Sequence, residues 1–111
     1  MWQPLSREDL MDLIEDAELL MEEPVKRFWD RIKIPPEKWQ LPPLGDEGGG
    51  FWVVAVVGQK CVWYNDIEEG FNISRASQFG QISRYSCNQT DLLIIISNYH
   101  HDFLKAIASE A

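Results

Sequence analysis

Leu10, Leu13, Ile14, Ala17, Leu20 and Met21 recur at spacings of three and four, the period of a helix with one apolar stripe. Ser6 followed by Asp9 resembles a capping box with a shortened acid, and acids fill the first turn, where the helix dipole favours negative charge. The pattern breaks at Glu23-Pro24, because proline lacks the next helical donor and disfavours helix in the residue before it. Proline suits the first position of a new helix. Val25, Phe28, Trp29 and Ile32 give that second helix its own stripe, ended by Pro35-Pro36. Residues 1–33 therefore read as a helical pair with a bend.

Residues 34–50, IPPEKWQLPPLGDEGGG, read as a connection, since proline and glycine at this density interrupt regular structure. Trp39 is expected to find apolar cover within it. The Gly48-Gly49-Gly50 run is not a phosphate loop: it precedes a strand and no lysine follows, so flexible entry to a sheet is expected.

From Phe51 the period changes to two. FWVVAVV is apolar at both parities, which predicts a central strand covered on both faces. Gly58-Gln59 suits a type II′ hairpin turn, and Lys60 to Tyr64 returns antiparallel with residues that favour a pleated surface. Phe71 to Ser74 reads as a third strand with Phe71 and Ile73 on one face. Residues 75–87 leave two readings open. Phe79, Ile82 and Tyr85 pack as an irregular cover, or Gln81 to Tyr85 forms a short edge strand.

LLIII at 92–96 is ambiguous alone, but Leu92, Ile95, Ile96, Tyr99, Phe103 and Ile107 make a helical stripe over the longer window. Asn88 or Thr90 caps it, and Asp91 sits in the first turn. A helix is expected from about Asp91 to Ser109. The whole is one α+β domain: two N-terminal helices, a connection over 34–50, a small antiparallel sheet of three or four strands within 51–87, and a C-terminal helix over 88–111 packed on that sheet.

Charge changes the picture at one end. The net charge is −8, and residues 1–23 hold Glu8, Asp9, Asp12, Glu15, Asp16, Glu18, Glu22 and Glu23 against Arg7 alone. This argues against a nucleic-acid partner, because phosphate binding needs a basic footprint. It favours a cationic protein partner, or serves solubility alone, as acidic helices commonly do. The basic cluster Lys26, Arg27, Arg31, Lys33 and Lys38 is expected to form the solvated face of the second helix and to pair with the acids of the first. The start MWQPLSRED has no basic region followed by an apolar one, and no apolar run is long enough to span a bilayer. No secretory leader and no membrane partner are expected. With two cysteines only, Cys61 and Cys87, a cytoplasmic location is expected.

CVWYNDIEEGFN, residues 61–72, crowds acids and asparagines between aromatics. Read as an EF-hand with Gly70 sixth, it would put Ile67 third and Ala76 twelfth, positions that demand oxygen ligands. Calcium of that kind is excluded. The plain reading is a polar turn, with Gly70 taking a positive φ; the alternative is a partner-binding rim of Asp66, Glu68 and Glu69 beside Trp63. Adjacent His100 and His101 point about 100° apart on a helix and do not chelate one metal as an i, i+4 pair does. No zinc motif completes them. No cofactor and no catalytic residue are assigned.

Two functions follow. The first is a small acidic, non-enzymatic interaction domain that masks a basic toxin or effector as an antidote or immunity protein does. Its contacts would be Asp12, Glu15, Asp16, Trp63, Asp66, Glu68 and Glu69. The alternative is a small enzyme or ligand-binding protein with a pocket between sheet and C-terminal helix, drawing on Cys87, His100 or His101.

Overall fold

The computed structural model describes residues 3–44, 46, 49–76 and 78–110, and the side chains of all these save 109 and 110. Gly48, within the expected flexible entry, and the side chain of Ser109, at the end of the expected last helix, lie outside them. The elements run α1 (Arg7–Leu20), α2 (Glu23–Ile32), β1 (Lys33–Trp39), β2 (Phe51–Val57), β3 (Lys60–Asn65), β4 (Gly70–Arg75) and α3 (Leu92–Glu110). The four strands form an antiparallel sheet in the order β1-β2-β3-β4, and α3 packs on it. The fold is α+β, as the sequence pattern predicts.

Local chemistry accounts for the helix limits. Ser6 caps α1 by accepting a hydrogen bond from the Asp9 amide at 3.1 Å, and Pro24 stands in the first turn of α2, where its missing donor is harmless. Glu18 Oε2 joins three elements, accepting from Trp29 Nε1 at 2.8 Å and from Lys33 Nζ at 3.3 Å. Of the α1 stripe, Leu10, Ile14 and Ala17 reach the core, whereas Leu13 and Leu20 remain exposed.

Residues 34–50 are only partly the irregular connection their prolines predict. Residues 33–39 form β1, an edge strand on β2, with a register shift between Lys33 and Glu37 that contains Pro35-Pro36. Prolines are tolerated there because an edge strand has one unpaired side and a bulge needs no ladder donor. Trp39 is buried, with the exposed Phe79 ring 4.8 Å away.

The sheet carries a core on each face. Toward the helices, Val54, Ala55, Val62, Tyr64 and Phe71 meet Leu10, Ile14, Trp29, Ile32, Leu92 and Ile96. On the other face, Phe51, Val53, Cys61 and Trp63 pack with Trp39 and Ile82. A register shift between Val53 and Ala55 turns Val54 and Ala55 to the helical side together. At Gly58 φ is +57°, the conformation the hairpin turn requires.

The second face is covered by the segment after β4, which is irregular rather than an edge strand. From Arg75, whose carbonyl accepts from Ser83 N, the strap reaches the end of β1, where Gln40 N donates to Gly80 O and Ile82 N to Gln40 O. It returns to the start of β4, where Phe71 N donates to Thr90 O at 2.8 Å. Ile82 is buried beneath it and Tyr85 half-buried, but Phe79 stays exposed.

Candidate functional site

The loop between β3 and β4 is a structural junction. Asn65 is fully buried: its Oδ1 accepts from the Ile67 and Glu68 amides at 3.0 and 3.2 Å, and its Nδ2 donates to the Ser86 carbonyl at 2.9 Å. One side chain thus shapes the turn and holds the strap. Asp66 is buried as well. Its Oδ2 accepts from the Leu5 amide at 3.0 Å, while Trp52 Nε1 donates to the Leu5 carbonyl at 2.8 Å. Asp66 Oδ1 is buried without a partner. Burial raises the Asp66 carboxyl above its ordinary range, opposed by the Leu5 hydrogen bond and by the charge of Lys38.

Positive φ falls on Glu69, at 57°, and not on Gly70. Gly70 is required for a different reason: a Cβ there would lie 2.6 Å from the Asn88 carbonyl oxygen, against the returning strap. Trp63 is fully buried, its Nε1 donating to Ser74 Oγ at 2.9 Å and its ring 4.9 Å from Phe51. Trp63 and Asp66 are therefore a core residue and a clamp, inaccessible to a partner. The strap and the N-terminal segment, distant in sequence, cover them. Of the expected rim, Glu69 is exposed and Glu68 half-buried. The Asp66–Leu5 clamp brings this loop to the N-terminal end of α1.

On α1, Glu8, Asp9, Asp12, Glu15 and Asp16 are all exposed. Among the described residues none of these carboxylates makes an ion pair. Among the described residues, the expected pairing of the basic cluster with the α1 acids occurs only at Glu18 with Lys33, the first residue of β1. Lys26 pairs with Asp30 at 2.7 Å and Arg27 with Glu23 at 2.8 Å, both within α2. Hydrogen bonds from Lys26 and then Lys33 hold the Asp30 carboxyl below its ordinary value. The bases of α2 are thus largely spent on their own helix, and the α1 acids stay uncompensated.

The residues weighed for chemistry are scattered. Cys61 is buried, and desolvation pushes its thiol up to about 12. Cys87 is exposed in the strap. His100 lies 5.2 Å from the Phe28 ring and His101 is exposed on α3. A cavity of about 340 Å³ does lie between the sheet and α3, lined by Lys60, Ile73, Thr90, Asn98, Tyr99 and Asp102 among others, but by none of Cys87, His100 and His101. Among the described residues, no group of three His, Cys, Asp or Glu converges as a metal shell would, and no helix is long and apolar enough to cross a membrane.

Sequence reasoning missed a groove of about 420 Å³ between α2 and α3, where Phe28, Phe103 and Leu104 form apolar walls beside Arg27, Arg31 and His100. The available signal was Phe103 and Ile107 continuing the α3 stripe past the length the sheet covers. Compared with family models, curated proteins and solved structures, the chain matches none.

Proposed function

We propose that this domain acts by binding another protein, a basic one, through the carboxylate face of α1, as an antidote masks a cationic toxin or effector. The observation that supports this is the run Glu8, Asp9, Asp12, Glu15 and Asp16, exposed and without an ion pair among the described residues, beside a helix whose Lys26 and Arg27 pair with its own acids. Unpaired surface carboxylates on one helix face project a field that a cationic surface meets without first breaking salt bridges. Glu69, exposed, and Glu68 extend that surface at the end of α1 to which the loop is clamped.

The test is a pull-down from the native cell followed by binding kinetics on the recovered protein. Charge complementarity acts mainly on encounter, so association should slow as salt rises while dissociation changes less. Reversing Asp12, Glu15 and Asp16 together to lysine should slow association at low salt about tenfold or more, with circular dichroism unchanged because the three positions lie off the buried stripe. Wild-type association by the folded triple variant across the salt range would remove the electrostatic reading. The cavity lined by Lys60, Tyr99 and Asp102 would then make a small-molecule ligand the better account.

A further inference from the structure

α3 carries a stripe buried against the sheet and, beside it, a mixed seam that starts at the half-buried Leu93 and becomes exposed toward Leu104 and Ile107. Leu92, Ile95 and Ile96 face the sheet. Leu93, Ser97, His100, Leu104 and Ile107 follow at intervals of four, three, four and three, the spacing of a coiled-coil seam. Along this second stripe Leu104 and Ile107 are 51% and 49% exposed, and Ile94 beside it 50%.

The borders of the seam differ in charge from end to end. Near Leu93 and Ile94 it is flanked by Leu13, Leu20 and Asp16 of α1, with Asp91 at the helix start. Near His100 and Leu104 it is flanked by Pro24, Arg27, Phe28 and Arg31 of α2. Asp16, Asp91 and Arg31 have no ion pair among the described residues, so both borders present charge to whatever docks. An apolar strip that is acidic at one end and basic at the other is self-complementary when turned end for end.

We propose that the seam is a dimer interface whose occupant is a second copy of this chain, the two α3 helices running antiparallel about a twofold axis near His100. The antiparallel orientation lays Leu93 and Ile94 of one protomer along Leu104 and Ile107 of its partner. The same rotation sets the acidic border, Asp16 and Asp91, toward Arg31 beside the Arg27–Glu23 pair, and an isologous interface makes each contact twice. A parallel pair would place acids beside acids and arginines beside arginines. Leu93 to Ile107 spans about 21 Å at the helical rise, short for a helix pair alone. A stable interface buries about 800 Å² per partner, so the grooves beside α1 and α2 take part, and their charges select the orientation. Asp16 is shared with the proposed α1 surface, but Leu104, Ile107 and Arg31 lie outside it, so the Leu104/Ile107 variant tests the dimer separately.

The test is sedimentation equilibrium of the full chain over a range of concentrations. The wild type should pass from one to two copies of the 12.9 kDa chain. Leu104→Glu with Ile107→Glu should stay monomeric throughout with an unchanged circular dichroism spectrum, since neither side chain is buried. Arg31→Glu and Asp16→Arg should each raise the dimer Kd about tenfold, and the two changes combined in one chain should restore it. A wild type monomeric at every concentration, or a dimer that survives the Leu104/Ile107 variant, overturns the interface. Failure of the double charge swap to restore dimerisation overturns the antiparallel orientation.

Discussion

The Asn72 side chain pairs with the main chain of Asn88 through both ends of its amide: Asn72 Oδ1 accepts from Asn88 N at 2.9 Å, and Asn72 Nδ2 donates to Asn88 O at 3.0 Å. A buried side chain on β4 thus takes the place of a neighbouring strand and closes the strap against the sheet, sixteen residues later in the chain. Asn65 on β3 adds a single bond to the same strap, its Nδ2 donating to the Ser86 carbonyl. Asn72→Asp is nearly isosteric but cannot donate to the Asn88 carbonyl, and Asn72→Ala also leaves the Asn88 amide unpaired. Each buried group left unpaired costs about 1–3 kcal/mol. Urea unfolding should show both variants destabilised, with hydrogen exchange accelerated first at residues 86–90. Stability equal to wild type in either variant would show that the strap is held by other contacts.

Gly70 faces the same strap. Its backbone is not at positive φ, so Gly70→Ala meets no dihedral penalty; the added methyl group instead meets the main chain of Asn88 and Gln89. Backbone cannot turn aside as a flexible side chain does, and overpacking of this kind costs about 1–3 kcal/mol. The loss should appear as displaced amide resonances at 88–90. Gly58→Ala, with open space but positive φ, should perturb only the β2–β3 turn.

Asp66 sets a pH dependence. Burial raises its folded-state pKa above that of the unfolded chain, so its contribution to stability is present below the unfolded value and is lost as pH rises through the folded value. Asp66→Asn keeps an acceptor for the Leu5 amide and removes the titration. The stability of wild type relative to Asp66→Asn should therefore decline as pH rises from about 4 and level off above the folded value. Denaturant midpoints across that range measure it, and a difference that grows with pH would contradict the buried, half-satisfied carboxylate.

The two thiols should behave oppositely. Cys61 is buried with its thiol pushed up to about 12, so little thiolate exists at neutral pH, whereas Cys87 is exposed. In the native state one thiol should label rapidly, and Cys87→Ser should leave a protein that resists labelling until denaturant unfolds it. Fast labelling of that variant under native conditions would mean that the strap opens readily over the second core.

Short-range chemistry was legible in the sequence wherever neighbours in the chain decide the outcome. The Ser6 cap, the restart at Pro24, the Gly58 turn and the two-sided apolar pattern of β2 all follow from backbone sterics and periodicity that no distant contact overrides. β1 was not legible, because Pro35-Pro36 argue against a strand unless it is known to lie at an edge, which only the sheet order determines. The loop residues divide in the same way. Asn65, Asp66 and Trp63 sit in a stretch whose composition reads as a polar surface turn, yet all three are buried, since Leu5 and the strap over 76–90 arrive there from elsewhere in the chain. The acidity of α1 was read from composition alone. That most of its carboxylates are left without counter-ions was decided by the tertiary structure, in which, among the described residues, Glu18 is the α1 acid that reaches a base while Lys26 and Arg27 pair within α2 one helical turn away.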